Sequence, residues 1–364
     1  MRRAKILYAA STVSHLDRFH VPYLEALRKE HDVYLMATEA SGIDFPLQFD
    51  KKFFSIANFR AIGEIRKILK REAFDKVIVN TSLAAFLVRM SLFGIPKKDR
   101  PFVLNVVHGY LFSYPVKGRK AKLLLRCEKL LRKKTDALAV MNEEDLYIAR
   151  KYRLCRKEIS FIRGMGITIP EYEPNKEALA DIRRAYAHEE KDFLCTFIGE
   201  LSGRKNQLFL IRAAKRLYEQ GVPIRLLLIG EGAGREMLEA EIEKLCMQDR
   251  IYLPGARDNV YDYLSVTDLY VSASVSEGLP FNVMEAMACG LPILITDTKG
   301  QRDLMRGRRE CLYPLGDADT FCREVKRIYE LGKYGMGSCI YPQLEDYLLA
   351  SVFEENMKLF TEEK

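Results

Sequence analysis

The stretch Ser276-Glu277-Gly278-Leu279-Pro280-Phe281-Asn282-Val283-Met284-Glu285-Ala286-Met287-Ala288-Cys289-Gly290 decides the fold. It follows the apolar run Leu269–Ser272 and passes from strand through loop into helix. Gly278 and Pro280 let the backbone turn tightly, which leaves amides free at the start of the helix. The amides of Leu279, Pro280's neighbour Phe281 and Asn282 then face outward, and such a terminus holds a diphosphate through its N–H groups and dipole. Glu277 stands in the loop and Glu285 about one turn inside the helix. Two carboxylates at this spacing can reach two hydroxyl-bearing parts of one ligand, a hexose and a ribose, as an acidic residue holds a ribose diol in dinucleotide folds. An isolated pair of this kind is more often a capped helix with Glu277 as a dipole partner and Glu285 on a solvated face. The glycine, the proline and the strand–loop–helix setting argue for the ligand.

Working outward, three further loops leave strands in the same half. Gly199-Glu200-Leu201-Ser202-Gly203-Arg204-Lys205-Asn206-Gln207 follows the run Phe193–Ile198 and enters a helix. Gly199 and Gly203 allow a ligand close to the backbone. Arg204 and Lys205 place positive charge where a departing nucleoside diphosphate gains negative charge, so fixed cations and helix amides can replace a metal ion. Gly230-Glu231-Gly232-Ala233-Gly234-Arg235 differs in spacing from a dinucleotide fingerprint and reads as a tight turn, with Gly230 at the edge of the nucleotide. In Leu253-Pro254-Gly255-Ala256-Arg257-Asp258-Asn259 the arginine, Arg257, can face a base or a phosphate.

The strand runs of both halves are continuously apolar rather than alternating, the pattern of parallel sheets covered on both faces. In the first half they are Lys5–Ala10, Asp32–Ala37, Lys76–Asn80, Phe102–Val107 and Ala137–Met141, separated by helical stretches at Phe19–Lys29, Ala61–Glu72, Leu83–Phe93, Lys117–Lys134 and Glu143–Lys151. The expected fold class is α/β, two tandem doubly wound Rossmann-like domains facing across a cleft. The domains are 1–169 and 170–345, joined through the proline-bearing segment Ile169–Asn175. A final helix, Tyr347–Phe360, follows a Gly332–Pro342 break.

A chain of 364 residues suits two cores. Its 48% hydrophobic and 30% charged content are those of a folded protein. The apolar stretch near the N-terminus is short and reads as a first strand, not a signal peptide. Eight scattered cysteines without a C-x-x-C pair read as buried thiols in a reducing compartment. Five histidines lack the H-x-x-x-H spacing of a zinc site, so no metal site is expected. No cofactor is expected. The net charge of +8 is divided unevenly: residues 1–170 hold 33 Lys and Arg against 17 Asp and Glu, and residues 171–364 hold 25 against 33.

In the first half His108-Gly109-Tyr110 follows the strand Phe102–Val107, where a neutral histidine can orient a sugar hydroxyl or steady developing charge. Ser11, Thr12 and His15 follow the first strand on the same expected edge and are candidates to meet the acceptor. Taken together, the E-x7-E segment, the Gly199–Lys205 loop, the Gly230 turn and Gly255 resemble, in order, the family 4 glycosyltransferases of the GT-B fold. Ser14–Tyr23, His108–Phe112 and Asp136–Asp145 are similar to segments of its capsule and exopolysaccharide branch. The resemblance implies retaining transfer from a nucleotide sugar, usually a UDP-sugar, in bacterial surface polysaccharide synthesis. By motif it gives Glu285 the ribose, Glu277 the hexose, the Leu279–Asn282 amides and Lys205 the diphosphate, and His108 a place near the transferred sugar. It also implies that the last helix, within 346–364, packs back on the first domain. Two positions depart from the pattern. Glu200 stands where many members have arginine, so Arg204 is the candidate guanidinium, and Ser11-Thr12 replaces a glycine pair.

Nine of the eighteen residues Lys117–Lys134 are Lys or Arg, interleaved with leucines. This is the composition of a helix that lies on an anionic membrane, and a lipid-linked saccharide acceptor would account for it. The expected location is cytoplasmic, peripheral on the inner face of the cell membrane. Two other functions fit parts of the pattern. A UDP-sugar 2-epimerase shares the two-domain form, but the paired glutamates with the Lys205 loop favour transfer. A nucleic-acid-binding protein would use the basic half, but stacking platforms and a recognised motif are lacking, so no nucleic acid is expected as partner.

Overall fold

The computed structural model describes residues 3–38, 41–48, 50, 55–332 and 338–362. The chain divides into two compact units, Met1–Gly166 with Asp346–Lys364, and Ile167–Glu345.

The first unit runs β1 (Lys5–Ala9), α1 (Val13–Phe19), α2 (Val21–Glu30), β2 (Asp32–Ala37), β3 (Phe45–Pro46), α3 (Ile56–Glu72), β4 (Lys76–Asn80), α4 (Ser82–Ser91), β5 (Phe102–Val107), α5 (Arg119–Leu131), β6 (Ala137–Val140), α6 (Glu143–Tyr152) and β7 (Glu158–Phe161). Its seven strands are parallel in the order β3-β2-β1-β4-β5-β6-β7. All five residues of β4 are buried, as expected of a strand covered on both faces.

The second unit runs α7 (Lys176–Tyr186), β8 (Phe193–Ile198), α8 (Gln207–Glu219), β9 (Ile224–Ile229), α9 (Arg235–Lys244), β10 (Ile251–Gly255), α10 (Val260–Ser265), β11 (Leu269–Ser272), α11 (Phe281–Ala288), β12 (Ile293–Thr296), α12 (Gln301–Leu304), β13 (Leu312–Tyr313) and α13 (Ala318–Gly332). Its six strands are parallel in the order β10-β9-β8-β11-β12-β13. In each sheet the order reverses once, between β1 and β4 and between β8 and β11. The crevice outside the strands' carboxyl ends at such a reversal is where open α/β sheets bind ligands.

The last helix, α14 (Leu349–Thr361), belongs to the first unit. Buried Asn356 donates to Tyr23 Oη and to the Gly164 carbonyl, both at 2.9 Å, and Phe353 stacks on Tyr23. Lys76 reaches the end of α14 and donates to the Phe360 and Glu362 carbonyls at 2.7 and 2.9 Å, as cations do at helix C-termini. Of the Gly332–Pro342 break, residues 333–337 lie outside the described residues.

Two departures from the sequence reading bear on function. The helix expected over Phe19–Lys29 is α2, which starts at Val21 with Pro22 in its first turn, and a separate helix that was not expected, α1, precedes it over Val13–Phe19. The junction residue is His20, fully buried. The segment after the expected linker forms α7, capped by Asn175, whose side chain accepts from the Glu177 and Ala178 amides. None of its residues is fully buried, though Leu179, Ile182 and Tyr186 are half-buried at helical spacing.

Candidate active site

In the second unit, the loops at the β8/β11 reversal are joined backbone to backbone. The Gly199 amide donates to Ile229 O, and Leu201 to Glu231 O. Gly230 has φ +146°, and a Cβ there would lie 2.0 Å from the Gly199 carbonyl oxygen. Only glycine lets the two loops approach this closely. The Gly230 turn therefore braces the Gly199–Lys205 loop. Gly255 continues the stack by accepting from the Gly230 amide at 3.0 Å.

The braced loop meets the loop before α11 through charge. Glu277 is buried, with Lys205 Nζ 2.7 Å from one carboxylate oxygen and Arg204 Nη1 2.6 Å from the other. Arg204 also donates to Ser276 O at 3.1 Å, and its own carbonyl accepts from the Val275 amide. Burial raises the Glu277 carboxyl, but the charges of Lys205 and Arg204 outweigh it, so the group sits below its usual range. Burial, aided by Arg204, pulls the Lys205 ammonium below its ordinary value against the attraction of Glu277. The pair remains ionic, held by three charges in contact.

Helix α11 enters directly after this triad, with Pro280 as its extended cap residue. Asn282 turns its side chain inward, donating to Ile198 O at 2.6 Å and Tyr270 Oη at 2.7 Å. That fixes the helix start against the end of β8. Glu285 is buried about one turn inside α11, and its charge helps push the Tyr261 phenol up to about 12 after burial, the larger cause. Arg257 is exposed and donates to Tyr263 Oη at 2.9 Å, away from the Lys205–Glu277 group in hydrogen bonding.

A buried polar net beneath these loops was not read from the sequence. Gln301 donates to Ser272 Oγ at 2.7 Å, and the Thr296 hydroxyl lies 2.6 Å from both Gln301 Oε1 and the Ser274 carbonyl. A Cβ on Gly300, at φ +77°, would meet Gly278 O at 2.6 Å. The turn before α12 thus supports the Glu277–Gly278 loop from below. The signal for it in the sequence was only Ser, Thr and Gln beside strand ends.

The first unit's edge is uncharged at the corresponding place. Ser11 Oγ lies 2.6 Å from Thr81 Oγ1, and its amide donates to the same oxygen at 3.0 Å, so its hydroxyl ties β1 to the start of α4. Thr12 is exposed ahead of α1. His15 on α1, His20 at the α1–α2 junction and His108 after β5 cluster, with ring centroids 4.6–5.5 Å apart. Burial lowers all three rings, His15 to about 4, and keeps them neutral; the neighbouring imidazoles add to the effect at His20 and His108. The loop carrying His108 is held by buried Asp145, which accepts from the Tyr110 amide at 3.0 Å and from Asn142 Nδ2 at 2.9 Å. His20 is the member that spacing did not reveal, since it joins the others only through the break between α1 and α2.

Two parallel sheets in these orders are the architecture of GT-B glycosyltransferases. The chain is similar in fold to the crystal structure of Anabaena HepE in complex with UDP, with a TM-score of 0.68 at 15% identity over 98% of this chain and 99% of that one. The sequence carries the class further. Residues 180–334 match the family described as Glycosyl transferases group 1. The putative glycosyltransferase EpsD of Bacillus subtilis is 28% identical over 333 residues, 89% of this chain and 87% of that protein. The UDP-Gal:alpha-D-GlcNAc-diphosphoundecaprenol alpha-1,3-galactosyltransferase of Escherichia coli is 25% identical over 75% of this chain and 71% of its own length. The chain is a glycosyltransferase, similar to those of polysaccharide and glycan synthesis.

Proposed function

We propose that this chain moves a hexose-type sugar from a UDP-sugar to a saccharide acceptor carried on a lipid, with retention at the transferred carbon and without a catalytic metal. The observation that carries the reading is the Lys205–Glu277–Arg204 contact beside the start of α11. As the bond from sugar C1 to the diphosphate oxygen breaks, that oxygen gains charge. Lys205, Arg204 and the amides at the start of α11 stabilise it, worth most where water is excluded. Glu277 accepts from hexose hydroxyls, and Glu285 from the ribose. Arg204 supplies the guanidinium that Glu200 does not. His108, neutral, donates or accepts at the transferred sugar. Similar proteins bind UDP or use a diphosphoundecaprenol-linked acceptor by name, which supports the donor and acceptor classes.

Membrane contact is proposed through α5. The buried Arg89 guanidinium clamps Glu128 with two bonds of 2.8 and 2.9 Å and turns Leu125 and Leu131 to the core. Leu123 and Leu130 are left exposed among Lys120, Lys122, Arg126 and Lys129. Among the described residues no helix is long and apolar enough to cross a membrane. An amphipathic basic face of this kind binds anionic lipid from the surface.

The test is UDP release from a panel of UDP-sugars with membrane extract as acceptor. Lys205→Ala should lower turnover by about 10²–10³-fold, the scale of one lost charge-stabilising donor. Glu285→Ala should weaken donor binding by roughly 10-fold, the scale of one charged hydrogen bond, with a smaller change in turnover. Unchanged kinetics in both variants would overturn the site, and isomerised sugar without UDP release would overturn transfer.

A further inference from the structure

We infer that His15, His20 and His108 form a site for a divalent transition ion of the zinc type, and that the ion silences transfer by taking up the His108 ring. One nitrogen from each ring lies within 4.8 Å of the others. His15 Nε2 and His20 Nε2 are 3.2 Å apart. A tetrahedral ion with nitrogens at 2.0–2.1 Å needs them roughly 3.3 Å from one another, so this pair already stands at ligand spacing. His108 has to close by about 1.5 Å at most, a movement within reach of one half-buried side chain.

In two of the rings an outer contact engages one nitrogen and leaves the other for an ion. His20 Nδ1 is 2.7 Å from Tyr8 Oη, and His108 Nε2 is 3.4 Å from Asn80 Oδ1. With Nδ1–H of His20 donating to the phenol, its Nε2 lone pair faces His15. With Nε2–H of His108 donating to the amide, its Nδ1 is the lone-pair nitrogen. Ligating histidines are oriented in this way by a partner on the second nitrogen. In the metal-free protein the His20–His15 contact requires a proton between the two Nε2 atoms. With His20 protonated at Nδ1 that proton is His15's, and binding shifts it to His15 Nδ1, so two Nε2 lone pairs meet the ion and no proton has to leave the cluster.

Three neutral imidazoles select the borderline ions zinc, cobalt and nickel over magnesium and calcium, which prefer oxygen. Three protein ligands leave a fourth position for water or an acceptor oxygen. His15 and His108 are half-buried, so an ion can arrive from the strand-end side, while His20 is the fully buried anchor.

The ion site stands on geometry alone; the silencing rests on the proposed role of His108 at the transferred sugar. The experiment titrates the full chain, thiols kept reduced, with Co²⁺, and follows visible absorption and the X-ray absorption shell. Expected are one ion per chain, a shell of nitrogen and oxygen only, and displacement by Zn²⁺. His15→Gln and His108→Asn should each weaken Co²⁺ binding at least roughly tenfold. Tyr8→Phe, which keeps the ring packing and removes the outer partner of His20, should weaken it about 10- to 100-fold. Sulfur in the shell, no uptake, or uptake unchanged in all three variants overturns the site. Stoichiometric Zn²⁺ should also stop UDP release, reversibly with chelator. Full UDP release with the site loaded overturns silencing and leaves binding intact, and absence of UDP release from every donor is a failure of the transfer reading instead.

Discussion

The two sheets share a strand order around their reversal points and put loops at the same edge, yet the edges differ in kind. That of the second unit is ionic: Lys205, Arg204 and Glu277 touch, over loops packed through glycine. That of the first unit is neutral: three imidazoles and the Ser11–Thr81 hydroxyl pair. Topology fixes where a ligand can bind, and the side chains at the strand ends decide what charge it meets. An edge built of fixed cations suits a diphosphate. An edge of uncharged hydrogen-bonding groups suits a sugar or its acceptor, which carry hydroxyls rather than charge.

Breaking the ionic edge should cost the most. Glu277→Gln leaves Lys205 buried without its anion, and removing one partner of a buried pair costs about 3–5 kcal/mol. Differential scanning calorimetry should show the loss, and a transition within one degree of the wild type would rule the triad out as a buried pair. The effect has a defined pH sense. The folded Glu277 carboxyl lies below its usual range, so its stabilisation is present above the unfolded value of about 4.3. It is lost as pH falls through the lower folded value, so the gap between wild type and Glu277→Gln should narrow only on that acid side.

Gly230→Ala sharpens the contrast without touching a charge. It forces a Cβ to within 2.0 Å of a carbonyl oxygen at φ +146°, so the Gly199–Lys205 loop must move. The expected cost is about 1–3 kcal/mol, with donor binding weakened through the displaced Lys205. Hydrogen exchange should rise across the β8–α8 and β9–α9 loops while β1 and β4 keep their protection. Equal loss of protection in both sheets would mean that the strain is not local to the second unit's edge.

Much of this was legible in the sequence, for reasons that differ by residue. Continuous apolar runs such as Lys76–Asn80 and Phe193–Ile198 mark buried parallel strands because no face of them is left for water. Glu277, Lys205 and Gly230 could be singled out because strand–loop–helix junctions bring short polar segments to one edge. Their partnership could not be read: Arg204 and Lys205 are more than seventy positions from Glu277, and only the β8–β11 pairing brings them into contact. His20 was hidden because it fell inside the helix expected from Phe19, whereas it caps the junction between α1 and α2. The short strands β3 and β13, each two residues long, offered no pattern of their own. The support of the Glu277 loop by Gln301 depends on side chains meeting across three connections, which linear order does not encode.

The smallest effect separates the units by surface rather than by site. Lys122 lies exposed on α5 beside Leu123, and Lys326 lies exposed on α13 of the acidic half. If α5 rests on anionic lipid, Lys122→Ala should weaken liposome binding by about 1 kcal/mol, roughly fivefold, the scale for one basic group near a charged membrane. Lys326→Ala should change it little. The Lys122 effect should shrink as salt rises, because the attraction is screened within a Debye length. Flotation with vesicles containing anionic lipid, across a salt series, measures both variants side by side. Equal losses from the two lysines would trace binding to net charge alone. A selective loss from Lys122 assigns it to the helix whose leucines face outward, since only there do charge and exposed apolar surface coincide.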